Sequence, residues 1–314
     1  MRMQRLALAM AGMGLLAASV VSAPANAGKT DPKPWADLTK QSNSAKAAAE
    51  ACGISTGYPT AAGTMEAADV IAGKPPQGAP YESFKFVGTR ANATWYMAAN
   101  AAGTQFYYYG LLLQGGNLYR HTTYVYPYRP PVATFKKVGS GWTSFKTIAT
   151  SNDSVDGPSH AYLYGLNSNG SLYRYSIVRG VIRGLGSFPG FKGFKTMTVI
   201  SETMTYDTLL MTTTAGALWT VRIPVAASTK PVLKRIRSGG WQNFESLVVE
   251  NCGTRGGVLI VGVDNNTQTG TLYAMSKANG AATALTGYGK IPGVVFNGVN
   301  SVRMGYHYDP MRGE

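Results

Sequence analysis

The chain has 314 residues, a formal net charge of +14 and only 14% charged side chains. Its length is sufficient for one well-packed all-β domain, and uncharged polar side chains must cover much of the surface. The three histidines do not stand at metal-ligand spacing, so the composition gives no basis for a histidine-rich metal site.

The N-terminus has the pattern of a secretory signal. Arg2 and Arg5 precede an apolar stretch from Leu6 to Val21, and Ala25-Asn26-Ala27 follows. We expect cleavage after Ala27, which would leave 287 residues with a formal charge of +12 in an extracellular protein. The alternative is an uncleaved membrane anchor, but the apolar stretch is shorter than the roughly 20 residues that a spanning helix needs.

Residues 28–51 are rich in Lys, Ser, Ala, Asn and Pro, and they predict a flexible leader before a single domain at 52–314.

Cys52 and Cys252 are the only cysteines. An even count after a secretion signal favours a disulfide between them, and two free buried thiols are the alternative. Closing a loop of about 200 residues would contribute roughly 4–5 kcal/mol in the chain-entropy model. No later segment is apolar and long enough to cross a membrane.

A short pattern recurs four times along the domain. Each copy has an aromatic residue, two further residues, a Phe and then an apolar run that leads to a hairpin closing on Leu and an aromatic. The paired aromatic positions are Tyr81 and Phe84, Trp142 and Phe145, Phe191 and Phe194, and Trp241 and Phe244. The hairpins close on Leu118-Tyr119, Leu172-Tyr173, Leu218-Trp219 and Leu272-Tyr273.

The apolar runs of about 5–7 residues have the length of strands, and Asn169-Gly170 supplies the positive φ angles of a tight hairpin turn. Strand repeats of about 40–50 residues are typical of β-propeller blades, which stack radially and leave only short edges. A weaker fifth copy has Val299 in the Phe position. The segment from Thr64 to Ile71 would complete it. The prediction is an all-β, five-bladed β-propeller of four-stranded antiparallel blades, its fifth blade closed by N- and C-terminal strands.

The sequence does not favour an enzyme. It has no Gly-x-Ser-x-Gly elbow, no His-Glu-x-x-His and no Walker loop. His121 and His160 are expected to be solvated near loops, and the acidic residues do not recur at a fixed repeat position. A propeller hydrolase or lyase remains an alternative, and it would need a cluster of acids or histidines at the central channel.

Two acidic loops resemble calcium loops only superficially. Asp153 and Asp156 lie in one, and Asp264 lies in the other, followed by two asparagines. The later ligand positions of a calcium loop are missing, so ordinary Asx turns are favoured and no metal or cofactor is expected.

Basic residues form two groups, which could attract an anionic polymer such as teichoic acid. One group contains Lys230, Lys234, Arg235 and Arg237, and the other contains Arg174, Arg179, Arg183, Lys192 and Lys195. The alternative is a solvated strand face. Nothing resembles a nucleic-acid motif, and no nucleic-acid partner is expected.

The recurring aromatic residues allow two interpretations. Trp142 and Trp241, each preceded by Gly, could pack on the apolar face of a sugar ring, or they could belong to the core between blades.

The motifs Gly139-Ser140-Gly141-Trp142-Thr143-Ser144-Phe145-Lys146 and Ser238-Gly239-Gly240-Trp241-Gln242-Asn243-Phe244 resemble the repeat of tachylectin-2-type lectins. The resemblance covers residues 81–302. It implies a five-bladed propeller that binds N-acetylated amino sugars in pockets between neighbouring blades.

Two units keep the Gly-Trp part of the motif, and the resemblance carries the sugar-binding role to their residues. These candidates are Gly141, Trp142, Thr143 and Ser144 in one unit, and Gly240, Trp241, Gln242 and Asn243 in the other. The expected function is a secreted, monomeric, non-enzymatic lectin for glycans that contain amino sugars. The alternative is an extracellular scaffold that binds proteins or anionic cell-envelope polymers through a basic face.

Overall fold

The computed structural model describes residues 52–153, 160–226, 230–252 and 257–314. The predicted signal peptide (1–27), the predicted leader (28–51) and Asp156 lie outside these residues. All regular structure in the described part of the chain is β, in twenty-two strands. The predicted all-β class is therefore confirmed.

The largest sheet is mixed and joins both ends of the described chain. One half, sheet 5, contains β1 (Gly53–Pro59), β2 (Thr64–Ile71), β3 (Gln77–Pro80) and β22 (Val302–Tyr306), with β4 (Phe84–Lys85) paired to β2. The other half, sheet 1, contains β6 (Trp95–Ala99), β7 (Phe106–Gln114), β8 (Asn117–Tyr126) and β9 (Arg129–Ser140), with β5 (Ala91–Asn92) paired to β7.

The remaining strands form three four-stranded antiparallel sheets, as the sequence predicts. Sheet 2 contains β10 (Phe145–Asp153), β11 (His160–Asn167), β12 (Leu172–Val178) and β13 (Val181–Phe188). Sheet 3 contains β14 (Phe194–Glu202), β15 (Tyr206–Thr213), β16 (Leu218–Pro224) and β17 (Val232–Arg237). Sheet 4 contains β18 (Ser246–Asn251), β19 (Val258–Asp264), β20 (Thr269–Met275) and β21 (Leu285–Lys290).

The C-terminal strand β22 connects the two halves of the mixed sheet. It pairs antiparallel with β1, as expected for terminal strands that share one sheet, and it pairs in parallel with β6. The parallel pair is the reason that sheets 1 and 5 are continuous rather than separate four-stranded units. The segment from Thr64 to Ile71 is β2 and lies in this shared sheet, as predicted.

One strand of each sheet contacts one strand of the next sheet, in sequence order: β5 with β10, β10 with β14, β14 with β18, and β18 with β22. The parallel pairing of β22 with β6 returns this series to sheet 1.

The core consists of five apolar clusters, each between two neighbouring sheets. Leu118 and Trp142 lie between sheets 1 and 2, and Leu172 and Phe194 lie between sheets 2 and 3. The other three clusters fill the spaces between sheets 3 and 4, sheets 4 and 5, and sheets 5 and 1. Because each sheet packs on both faces, its inner strands are continuous apolar runs, whereas the outermost strands are largely exposed.

The repeat is visible in the backbone as well as in the sequence. In the three middle units the aromatic residue donates its amide N–H to the carbonyl of the glycine before the preceding Leu hairpin: Trp142 to Gly116 at 2.9 Å, and Trp241 to Gly216 at 3.0 Å. Phe191 makes the same bond to Gly170.

This hydrogen bond shows that the predicted register of the first and fifth units is wrong. In the first unit Phe86, not Tyr81, donates to the equivalent glycine, Gly63, so Phe84 does not occupy the Phe position. In the fifth unit Ile291 donates to Gly270, and the residue three positions later is the buried Val294. Val299 lies five residues further along and is 40% exposed.

The predicted disulfide between Cys52 and Cys252 is confirmed, with Cα atoms 5.1 Å apart. It connects the residue before β1 to the residue after β18, and so it links sheet 5 to sheet 4.

Candidate functional site

The Gly-Trp turns connect neighbouring sheets. Gly141 and Gly240 have φ angles of 81° and 95°, a left-handed conformation that glycine adopts without steric strain. The amide N–H of Phe145 then donates to the carbonyl of Trp142, which closes a tight turn. The glycine of the motif is therefore required by the backbone, whether or not a ligand binds.

The hairpin glycines pack closely against these turns. A Cβ atom on Gly116 would lie 2.7 Å from the hydroxyl of Thr143, and a Cβ atom on Gly216 would clash with the side chain of Gln242. Each turn therefore lies directly against the hairpin of the preceding sheet.

The two Trp side chains belong to the core. Trp142 and Trp241 are each 5% exposed. The ring of Trp142 lies 4.4 Å from that of Phe145, and the ring of Trp241 lies 4.8 Å from that of Tyr273. Their faces are covered by other aromatic rings, so neither can stack on a sugar in this arrangement.

The other candidate residues lie at the surface. Gly141, Thr143 and Ser144 are exposed at one turn, and Gly240, Gln242 and Asn243 are exposed at the other. The residues of each group lie together, but the two groups are apart, one between sheets 1 and 2 and the other between sheets 3 and 4. Each turn presents backbone groups with hydroxyl or amide side chains.

Three basic side chains, which were not recognised in the sequence as one set, lie beside the turns between sheets. Arg90 reaches the turn at Trp142, Lys146 the turn at Phe194 and Lys195 the turn at Gln242, and each donates to main-chain carbonyls there. The ammonium group of Lys195 donates to the carbonyl of Gln242 and lies 3.4 Å from the carboxylate of Glu245. For Lys146 and Lys195 the signal was present in the sequence as the basic residue after the Phe of the motif, whereas Arg90 follows Thr89.

The expectation that His121 and His160 are solvated is wrong, since His121 is fully buried and the side chain of His160 is only 9% exposed. His121, in β8, is fully buried against Trp95 with ring centroids 4.0 Å apart, and burial lowers the pKa of its imidazole to about 3. His160 begins β11 and contacts the carboxylate of Asp207 at 3.0 Å.

Asp207 is the centre of a buried polar network in sheets 2 and 3. Its carboxylate is completely buried and accepts hydrogen bonds from the hydroxyls of Ser151 at 2.5 Å and Tyr164 at 2.7 Å, besides the contact with His160. Burial raises the pKa of Tyr164 well above its usual value. Ser151 contacts the aspartate rather than the histidine, so the arrangement is not that of a nucleophilic triad.

Glu202 pairs across the hairpin with Asp207 and is also buried. Its carboxylate accepts hydrogen bonds from the amide N–H groups of Asn152 and Met311, both at 2.8 Å. Burial raises its pKa to about 7. Nearby, Glu250 makes a two-pronged ion pair with Arg303. This cluster could not be predicted from the sequence, because its members come from strands far apart in the sequence.

A small pocket lies among residues of β10, β14, β18 and β22 and of β5 with the residues that follow it. Apart from Arg303, the described side chains that line it are apolar, hydroxyl or amide groups, including Asn92, Thr147, Thr196 and Ser246. Glu202 and Glu250 are not among the residues that line this pocket, and their carboxylates accept hydrogen bonds from backbone amides and from Arg303.

The two predicted basic groups divide into exposed and partnered side chains. Arg174 is buried and donates to the carbonyl of Pro224, and Arg237 donates to that of Thr283. Exposed basic residues are concentrated on or next to the outermost strands: Lys136, Lys137, Arg179, Arg183, Lys230, Lys234, Arg235 and Lys290. Lysine and arginine on an edge strand also protect it from pairing with other chains.

The Asp264 loop is an Asx turn, as expected, since its carboxylate accepts from the amides of Asn266 and Thr267.

Within the described ranges no group of three or more His, Cys, Asp or Glu side chains could hold a metal ion. The part of the chain that the structure describes also contains no helix with the length and apolarity needed to cross a membrane. No protein-family model and no curated protein sequence matches this chain.

Proposed function

We propose that the five sheets form a five-bladed β-propeller, in which the C-terminal strand β22 and the N-terminal strands β1–β3 complete the fifth blade. Five apolar clusters between successive sheets support this architecture, as do the strand contacts in sequence order and the return from β22 to β6. Each sheet buries both faces in this arrangement.

We propose further that the protein is a secreted, monomeric, non-enzymatic lectin, with its signal removed after Ala27. Its ligands would be glycans that contain N-acetylated amino sugars. The observation that carries this proposal is the pair of exposed polar turns, at 141–144 and 240–243, each set against a glycine hairpin of the neighbouring sheet.

The buried positions of Trp142 and Trp241 define how these turns would work. The indoles hold the turns in place, while Thr143, Ser144, Gln242 and Asn243 with nearby backbone groups would hydrogen-bond the sugar hydroxyls and the acetamido group. A few exposed hydrogen bonds of roughly 1 kcal/mol each give weak sites, in the millimolar range. Two such sites on one rigid body gain strongly through avidity on a polymer.

Retention on insoluble chitin and on peptidoglycan tests the lectin proposal. The natural chain should be retained and released by soluble N-acetylglucosamine oligomers. Thr143→Ala with Gln242→Ala and Asn243→Ala should lose retention while keeping the natural circular dichroism spectrum. A folded natural chain that is not retained would rule out this function.

A second candidate function is supported by the exposed lysines and arginines of the outer strands. These residues would bind anionic envelope polymers, and the affinity should fall steeply as salt rises, because exposed charges are screened. A triple variant with Arg183→Gln, Lys234→Gln and Arg235→Gln should weaken binding to a polyphosphate probe without altering chitin retention. Binding that salt does not weaken would contradict this candidate.

A further inference from the structure

The last residues of the chain lie as an extended segment between sheets 3 and 4. After β22, residues 309–314 turn away from the inner strands and run antiparallel to the end of β14. The amide of Met311 donates to the carboxylate of Glu202, and the amide of Glu202 donates to the carbonyl of Met311 at 2.9 Å. The amide of Gly313 donates to the carbonyl of Ile200 at 2.6 Å. The segment therefore extends sheet 3 as a short added strand.

Sheet 4 contacts the other side of the segment. The side-chain amide of Asn251 donates to the carbonyl of Pro310 at 3.0 Å, and its oxygen accepts from the amide of Arg312 at 2.9 Å. The amide of Ala278 donates to the carbonyl of Gly313 at 2.7 Å. Both walls of the groove therefore form hydrogen bonds with main-chain groups of the segment. Any extended peptide could supply such groups.

The side chains of the segment fit three distinct subsites. Met311 is 2% exposed and packs in the apolar cluster of sheets 3 and 4. Only glycine fits at 313, since a Cβ atom there would lie 2.7 Å from the carbonyl oxygen of Ile200. The carboxylate of Glu314 is 2.7 Å from the guanidinium of Arg222 and accepts from the hydroxyl of Thr208.

The segment that leads into the groove is exposed. Tyr306 and Tyr308 are 41% and 73% exposed, so residues 309–314 could leave the groove while the pairing of β22 with β1 stays intact. Arg222, at the outer end of the groove, is 38% exposed and would remain accessible to an incoming acid.

Main-chain pairing with an added strand, together with pockets for particular side chains, is a general mode of peptide recognition. We propose that the groove between sheets 3 and 4 is a peptide-binding site that the chain's own residues 309–314 occupy. When that segment leaves, the groove accepts from another chain an extended peptide with an apolar residue, a glycine two positions later and then an acidic residue. This role is independent of sugar binding.

The test uses the whole chain carrying Met311→Asp and Glu314→Gln, which weaken the internal segment, and a fluorescent synthetic peptide with the sequence of residues 307–314. In fluorescence anisotropy this variant should bind the peptide about tenfold or more tightly than the natural chain, whose groove is occupied. Adding Arg222→Glu should reverse the gain, since it replaces the partner of the acid with a like charge. Lys234→Glu, on the exposed β17 of the same sheet, is the matched control and should leave binding unchanged.

Absence of peptide binding by the folded variant, or binding that Arg222→Glu does not weaken, would overturn the proposal. If the variant does not fold, hydrogen exchange of the natural chain decides. The amides of Met311 and Gly313 should exchange through local opening, faster than those of the inner strand β15. Exchange of these two amides only through global unfolding would show that the groove does not open.

Discussion

At the scale of single residues, neighbouring side chains of each Gly-Trp turn have different roles: one packs in the core and the others are exposed to solvent. The indoles of Trp142 and Trp241 fill the core between sheets, while Thr143, Ser144, Gln242 and Asn243 face solvent. Since adjacent residues in a turn point in different directions, the motif alone cannot show which of its side chains is available to a ligand.

Replacing either tryptophan should therefore destabilise the folded chain. Trp142→Ala or Trp241→Ala should lower the free energy of unfolding by about 3–5 kcal/mol, because each removes a buried indole packed against aromatic rings. Asn243→Ala, at an exposed position of the same turn, should change it by less than about 0.5 kcal/mol. Denaturant unfolding measures both, and equal effects of the Trp241 and Asn243 substitutions would contradict the buried position of the indole.

The pKa of Glu202 predicts a specific pH dependence. Burial raises it from 4.5 to about 7, so the native state binds this proton more tightly than the unfolded state. The resulting stabilisation is full below about pH 4.5 and is lost as the pH rises through 7. Relative to Glu202→Gln, the natural chain should lose roughly 3 kcal/mol of stability between pH 4.5 and 8.

The comparison with Glu202→Gln is necessary because His121 acts in the opposite direction. Its pKa is lowered to about 3, so the stability it contributes is present above pH 6.5 and is lost as the pH falls. Both chains contain His121, and its effect cancels in their difference. Denaturant unfolding from pH 4.5 to 8 gives this difference, and parallel stability profiles would show that Glu202 does not titrate as described.

At the scale of the elements, the hairpins were predicted well because their signals are local. A Leu-aromatic pair after a glycine turn specifies two paired strands, and β11–β12, β15–β16 and β19–β20 follow this pattern. The register of the terminal units could not be predicted from residue types, since Phe86 and Ile291 replace Trp there. Only the hydrogen bonds to Gly63 and Gly270 identify these positions.

The two Gly-Trp turns could be located in the sequence because each is continuous there. The networks around Asp207 and Glu202 could not be, since Ser151, His160 and Met311 approach them only after the sheets stack. Whether the Trp side chains are buried or exposed could not be predicted either, because either kind of indole can follow a glycine in this motif.

The disulfide ties the shared sheet to its neighbour. Cys52→Ser with Cys252→Ser should lower the free energy of unfolding by roughly 4–5 kcal/mol, because the unfolded chain regains the entropy of a loop with a sequence separation of 200. Denaturant unfolding with and without the double substitution measures the loss, and the circular dichroism spectrum should remain that of a β protein. A change below about 1 kcal/mol would contradict this constraining role.

At the scale of the whole molecule, the terminal strands determine whether five sheets can surround one axis. The spacing of the repeats predicts the number of units, while closure of the proposed propeller would depend on the pairing of β22 with β1 and with β6, from which most of the domain separates it in sequence. A rigid body of this kind would present its two exposed turns at fixed positions. Two weak sites could then engage neighbouring sugars of one polymer at the same time.

The most direct measurement of the central claim is an NMR titration of the isotope-labelled chain with soluble N-acetylglucosamine oligomers. Sugar binding at the two turns predicts shifts of the backbone amides of Gly141, Thr143, Ser144, Gly240, Gln242 and Asn243. The indole N–H signals of Trp142 and Trp241 should move little. Signals that stay unchanged at all six amides up to saturating sugar, in a folded chain, would contradict the claim.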